Sequence, residues 1–472
     1  MRVLLVFFDT MRYDHASCYG YVRNTTPNVD CLAVEGALFT NSYCTDTPTQ
    51  PCYTSVFTGK RGITTGVVSH GQPEETIGRE MVTFPRILAE NGIQTAAVST
   101  LYRFRRWFAQ GFTHYMQPAM GTWLQHITAQ EINQMAIPWL RAYGQKDFFL
   151  FLHYWDPHTP YNKAPEDYVK RFYQGNPYDP ANRSLEGLRS RPLMDFFISG
   201  GAVPELKKGL TDFEYPVAQY DAEIAHADEH LAEILDVLED EGILDDTLII
   251  FTSDHGEAMD EHGVYYDHMT AYEEVSHVPL VIWHPERVKP RNIEAMVQHV
   301  DFAPTILEAF GLPVPKDFEG KSLWPLLEGK EDRHYDVVFT NHGLWSAQRS
   351  MRTREWSMVR TMAPGMLQTR PAFELFNRTE DPFETRDVAA GQSDALREMR
   401  DRYLVWMEAN LGDKPDPLRL VAYSGQGAWE RVKRLYEQQA AANPAARTPM
   451  TPIDRAMVDD QPRTDSGTER RT

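Results

Sequence analysis

Five short apolar runs constrain this chain more than anything else in it: 2-RVLLVFF-8, 94-QTAAVS-99, 148-FFLFLHYW-155, 247-TLIIFTS-253 and 278-VPLVIW-283. Each has strand length and is apolar at consecutive positions, the pattern of a strand covered on both faces. Between them lie segments of helical period. The clearest is 217-VAQYDAEIAHADEHLAEILDVLEDEG-242, with Val217, Tyr220, Ile224, Leu231, Ile234, Leu235 and Leu238 on one face and Gly242 as its stop. Strands alternating with helices predict an α/β fold with a large, mostly parallel sheet flanked by helices. Ligands bind such sheets at the carboxyl ends of strands. That rule singles out Asp9 and Asp254, each of which follows an apolar run.

The proline- and glycine-bearing stretch 311-GLPVPKDFEGKSLWPLL-327 closes this unit, which is assigned to residues 1–335. Beyond it, 336-DVVFTN-341 and 355-EWSMVRT-361 read as strands, and a helix is expected near 394–411. These make a smaller α+β domain over 336–440. Residues 441–472 are poor in apolar side chains and read as a disordered tail.

The net charge of −20 argues against nucleic acid and anionic membrane as partners. A small anionic ester would then need a metal or local positive charge at its site. The four cysteines, Cys18, Cys31, Cys44 and Cys52, form no CxxC pair, so neither a zinc–thiolate cluster nor a disulfide framework is expected. No apolar run approaches the ~18 residues of a membrane span. The run after Met1 is too short for a signal peptide and ends in an aspartate. A cytoplasmic location is the expectation.

Asp9 fits either a metal ligand or a helix cap. Asp254 and His255, consecutive after a strand, can both reach a divalent metal. The stretch 47-TPTQPCYTSVFTG-59 holds two candidate nucleophiles, Thr49 and Cys52, before a β-like run that ends in Thr-Gly. His70, His158 and His268 lie in polar, turn-rich surroundings, where each alone reads as an ordinary hydrogen-bonded histidine. Together, three histidines, two aspartates and a hydroxyl predict a metal-assisted anion-transfer site.

The order of these pieces resembles the sulfatase family, within the alkaline phosphatase superfamily. The resemblance runs through 3-VLLVFFDTMRYD-14, 27-PNVDCLAVEGALFTNSY-43, 58-TGKRG-62, 147-DFFLFLHYWDPHTPY-161, 251-FTSDHGEAMDEHG-263, 272-YEEVSHVPLVIW-283, 299-HVDFAPTILEAFG-311 and 374-ELFNRTEDPFETRDVA-389. It implies a large mixed α/β domain, a smaller C-terminal domain with an antiparallel sheet, and an ester-bond hydrolase. It also implies a divalent metal (Mn, Ca, Mg or Zn) held by Asp9, Asp254 and His255, with the Thr49 hydroxyl as a further ligand. Thr10 stands where the family commonly has another metal ligand.

The family's formylglycine precursor, a cysteine or serine, lies nine residues before the Thr-Gly. In this chain that position is Thr49, with Pro51 matching the motif's proline and Tyr53 replacing its arginine. Cys52 falls at a small-residue position, so no formylglycine is expected. The Thr-x-Pro pattern resembles the phosphodiesterase branch of the superfamily, which uses threonine as its nucleophile. Thr100 and Tyr102 stand near the family's lysine–histidine pair and resemble phosphonate monoester hydrolases there, with Arg103 adding positive charge. The resemblance gives His158 and His268 catalytic roles beside the ester, and His70 a contact to its oxygens. A second metal would draw on Asp221, His226, His262 and His268, although Asp221 and His226 are poorly spaced for one helix face. The implied activity is phosphodiester or phosphonate monoester hydrolysis through Thr49. The alternatives are a sulfatase working without formylglycine and a catalytically silent binding protein. The loops 103–116 and 162–180 fit either a specificity pocket or contacts in a homo-oligomer.

Overall fold

The computed structural model describes residues 1–424 except 79, 119–125, 192, 193, 196, 197, 200 and 368. The expected tail at 441–472, and the last part of the 336–440 domain, lie outside the described residues.

The five apolar runs become five adjacent strands. They form the centre of an eight-stranded sheet in the order Arg291–Ile293, Ala37–Phe39, Leu280–Trp283, Thr247–Thr252, Arg2–Phe8, Phe148–Tyr154, Gln94–Val98 and His114–Met116. Leu280–Trp283 runs antiparallel to both neighbours, and every other pairing is parallel. The consecutive apolar residues serve two cores. Val3, Leu5 and Phe7 point to one face, where Tyr53, Val56, Phe57, Phe302 and Ile306 pack. Leu4, Val6 and Phe8 point to the other, against Ile132, Leu140, Tyr220, Ile224 and Leu231. The long helix spans Glu214–Asp240, with its expected apolar residues inward and Leu235 half-buried.

The stretch after Thr49 corrects the β-like reading. Thr49–Thr58 is a helix, buried along its whole length. Pro51 falls in its first turn, where a missing N–H costs little. Gly59, at φ 62°, donates its N–H to the Ser55 carbonyl and ends the helix. Tyr53, Val56 and Phe57 have strand-like propensity, but burial against the sheet decides their conformation.

The C-terminal region carries a five-stranded sheet ordered Phe373–Asn377, Trp356–Ala363, Ala347–Arg352, Val338–His342 and Asp46–Thr47. Its first four strands are antiparallel. The fifth comes from the other side of residue 335 and pairs parallel, with Asn341 opposite Asp46 and His342 opposite Thr47. Thr47 Oγ1 also lies 2.5 Å from His342 Nδ1. The segment leading into Thr49 is therefore part of the second sheet. Among the described residues, no helix is long and apolar enough to cross a membrane.

Candidate active site

Asp9 follows the Arg2–Phe8 strand, and Asp254 and His255 follow its parallel neighbour Thr247–Thr252. Ligand atoms of all three lie within 4.8 Å of one another, fully buried. Thr49, at the start of its helix, brings Oγ1 to 3.5 Å from His255 Nε2. His255 Nδ1 donates to the Gly256 carbonyl at 3.0 Å, which leaves Nε2 as the lone-pair nitrogen facing Asp254 Oδ2 (3.3 Å) and Thr49. That is the tautomer a metal-ligating imidazole requires. Burial pushes the His255 pKa down to about 4, which keeps the ring neutral.

Asp9 Oδ1 and Asp254 Oδ2 are buried without a hydrogen-bond partner. Burial pushes both carboxyls well above the usual carboxylate range, and the charge of Asp9 pushes Asp254 further. Two carboxyls in a dry site cannot both ionise without a cation. The orphaned oxygens, the neutral Nε2 and the hydroxyl therefore fit a divalent metal ion. His153 extends the cluster, with Nε2 3.1 Å from Asp9 Oδ2 and Nδ1 3.1 Å from Ser99 Oγ.

The three histidines of the sequence reading gather around this cluster. The His268 ring centroid lies 4.4 Å from that of His255 and 5.5 Å from that of His158. His158 Nδ1 is 2.7 Å from the Thr159 carbonyl and donates to it, leaving Nε2 for other work. His70 stacks on Phe104 with centroids 5.2 Å apart, and its Nδ1 is buried without a partner. Burial, with His268 and His255 nearby, pushes the His70 pKa down to about 3.

The other site candidates are placed differently. The Thr100 hydroxyl accepts from Trp155 Nε1 at 2.8 Å, and Trp155 packs between His153 and His158. Thr100 is thus tied to the indole that packs against both histidines. Tyr102 is 40% exposed and packs on Tyr115. Arg103 extends toward the Pro118 carbonyl, 3.5 Å away. A buried positive charge comes instead from Lys163. Its Nζ lies 2.6 Å from Glu223 Oε2 and donates to the His158 carbonyl at 2.6 Å.

The second-metal candidates are dispersed among other partners. Asp221 is taken by His15 (2.7 Å), Tyr21 (2.8 Å) and Arg23 (2.6 Å). His226 Nε2 faces His230 Nε2 at 3.2 Å, and His262 stacks on Tyr272. Among the described residues, Asp9, Asp254 and His255 form the one group of three or more such side chains close enough to hold an ion. Cys52 is not among that group; its Sγ lies 3.2 Å from both the Asp254 carbonyl and His299 Nδ1, and burial raises its thiol pKa.

Sequence reasoning missed His153, Lys163, Glu257 and His342. A histidine inside the apolar run 148–155 and a lysine just after DPHTPY were the available signals for the first two. His342 offered none, because its partner Thr47 is 295 residues away.

A sulfatase family model matches residues 2–312, and a model for the C-terminal region of N-sulphoglucosamine sulphohydrolase matches residues 260–404. An N-acetylglucosamine-6-O-sulfatase of Bacteroides thetaiotaomicron is 24% identical over 90% of this chain and 89% of its own length. Arylsulfatase K of Gallus gallus is 37% identical over 36% of this chain and 33% of its own. Among solved structures, one in complex with its substrate D-glucosamine-2-N,6-O-disulfate superposes with a TM-score of 0.71 at 22% identity, covering 88% of this chain and 99% of that one. The phosphonate monoester hydrolase of Agrobacterium radiobacter superposes with a TM-score of 0.70 at 21% identity, covering 87% and 96%. The solved structures agree with the two-sheet architecture, and the family match extends across every residue of the buried cluster: the chain belongs to the sulfatase family and is an ester-bond hydrolase.

Proposed function

We propose that the protein is a metal-dependent hydrolase that cleaves phosphodiester or phosphonate monoester bonds, with Thr49 as its nucleophile. The observation that carries this reading is the Thr49 hydroxyl, 3.5 Å from the same His255 Nε2 that lies 3.3 Å from Asp254 Oδ2. Asp9, Asp254, His255 and Thr49 would hold a divalent ion of the Mn, Ca, Mg or Zn class. Such an ion supplies charge neutralisation for the ester and a lowered pKa for a hydroxyl it touches.

Thr49 Oγ1 gives its proton to the lone-pair Nε2 of a neutral imidazole and attacks phosphorus, its new bond forming as the bond to the leaving alcohol oxygen breaks. That oxygen takes the same proton back from the imidazolium so formed, the work assigned to His158 and His268. Water then attacks phosphorus and gives a proton to the neutral imidazole, and that proton passes to Thr49 Oγ1 as its ester bond breaks. His70 contributes to recognition of the ester oxygens. A formylglycine hydrate can expel sulfate by collapse of its hemiacetal. A threonine ester has no such exit and must be cleaved by attack at phosphorus or sulfur. This favours phosphorus esters, and the likeness to a phosphonate monoester hydrolase supports the same reading.

A second reading, a sulfuric ester hydrolase working without formylglycine, is favoured by the relatives named as sulfatases. The two separate in one assay. The protein, supplied with Mn, Zn or Ca, is offered bis(p-nitrophenyl) phosphate, p-nitrophenyl phenylphosphonate and p-nitrophenyl sulfate. The expected result is preference for a phosphorus ester. Preference for the sulfate overturns the first reading in favour of the second, and no turnover with any metal would leave a silent binding protein.

A further inference from the structure

Thr10 stands where the family commonly has another metal ligand, yet its hydroxyl turns away from that role. Thr10 Oγ1 donates to Glu257 Oε2 at 2.9 Å. The other oxygen of the same carboxyl, Oε1, lies 2.9 Å from His268 Nδ1. Thr10 and Glu257 are fully buried, and His268 is 5% exposed. The backbone on either side is tied down as well. Asp267 Oδ1 accepts the His268 N–H at 2.8 Å, and the Thr10 carbonyl accepts from the Tyr220 hydroxyl at 2.8 Å. A hydroxyl, a carboxyl and an imidazole are thus joined in line from the end of the first strand to the ring that lies against His255 and His158.

An imidazole held at Nδ1 by a carboxyl has a fixed ring plane, and Nε2 is the nitrogen left for the substrate. We propose that Glu257 is the positioning residue for His268, and that Thr10 positions Glu257 in turn. The inference rests on the reading above, in which His268 acts on the ester. A ring must be aimed before its Nε2 can exchange a proton with an ester oxygen or the attacking hydroxyl. Glu257 does the aiming. The residue that would otherwise serve the metal becomes the anchor of that carboxyl.

The test is a double-mutant cycle on the phosphorus ester turned over fastest, reading kcat and KM separately. His268→Ala is expected to lower kcat by about 10²-fold. Glu257→Ala is expected to lower kcat by a similar factor in the wild-type background and to have almost no further effect in the His268→Ala background. Glu257→Gln, which keeps a hydrogen-bond acceptor of the same shape, should recover much of kcat, and Thr10→Val should cost several-fold. These two near-isosteric variants keep the test decisive where Glu257→Ala folds poorly. A Glu257→Ala loss that repeats in full without His268 would overturn the proposal, as would an inert Glu257→Ala beside a crippled His268→Ala. A fully active His268→Ala sinks the role of His268 itself, a different failure. A readout independent of turnover is nitrogen NMR of the His268 ring: Nδ1 should carry a proton in the wild type and lose that preference in Glu257→Ala. An unchanged ring signal contradicts the proposal.

Discussion

The two halves of the site are held by different means. Asp9, Asp254 and His255 hang from the carboxyl ends of paired parallel strands, whose backbones are fixed by ladders on both sides. His158 and His268 sit on loops fixed by individual hydrogen bonds. The loop after His268 is clamped by the second sheet. Ser346 Oγ donates to the Met269 carbonyl (2.7 Å), Gln348 Oε1 accepts the Ala271 N–H (2.9 Å), and Arg352 Nη2 donates to the Ala271 carbonyl (3.0 Å). Each such bond is worth about 1 kcal/mol net. On the proposed reading the cradle would hold the ion and the rim would present the imidazoles that move the proton. The cradle is set by the sheet and leaves little freedom, whereas the rim can be retuned one contact at a time.

The contrast predicts a graded series. Asp254→Asn, or removal of divalent ions with a chelator, should lower kcat/KM by about 10³-fold or more, with recovery in the chelated wild type on adding metal back. A loss under tenfold would break the assignment of the cradle. His158→Ala should cost about 10²-fold, mainly in kcat. Gln348→Leu loosens the rim from a distance and leaves the Ala271 N–H unpaired. It should lower stability by about 1–2 kcal/mol and kcat/KM several-fold, without changing metal affinity measured by calorimetry. If metal affinity falls in parallel, the two halves are not separable. Cys52→Ala should leave kcat within about twofold while lowering the melting temperature, because the thiol packs against Asp254 and His299 outside the cradle.

Acid should act on both halves. Burial pushes the pKa values of His342 in the rim and His299 behind the cradle down to about 3, from an ordinary 6.5. A depressed folded value means that the neutral ring stabilises the fold fully above 6.5, and that this stability drains away as pH falls toward 3. By about pH 5 each ring should account for about 2 kcal/mol of lost stability. Melting temperatures followed from neutral pH downward should fall, and His342→Asn should shallow the slope. A flat profile would mean that neither ring is held neutral by burial.

The sheet centre and the cradle were legible in the sequence because both depend on local pattern. Apolar runs mark central strands, and the residue after each run stands at the strand end. The outer strands Ala37–Phe39, Arg291–Ile293 and His114–Met116 are too short to carry such a pattern. The Thr49–Thr58 helix was hidden because its β-branched and aromatic residues speak for a strand, while tertiary burial decides otherwise. The rim was hidden by distance along the chain. Glu257 meets Thr10 across 247 residues, and His342 meets Thr47 across 295. Thr100 and Tyr102 were chosen from a family position, and Arg103 for its positive charge beside them. The structure shows Thr100 accepting from the Trp155 indole, Arg103 reaching toward Pro118, and Lys163, unmarked by any family position, donating to the His158 carbonyl.

The central claim is that Thr49 replaces the formylglycine precursor as a working nucleophile. Intact mass after a rapid acid quench, during turnover of a phosphorus diester with metal present, tests it most directly. The account predicts a phosphoryl adduct that maps to Thr49 and vanishes in Thr49→Ala together with activity. A Thr49→Ala protein that keeps full activity, or an adduct that maps elsewhere, would contradict it.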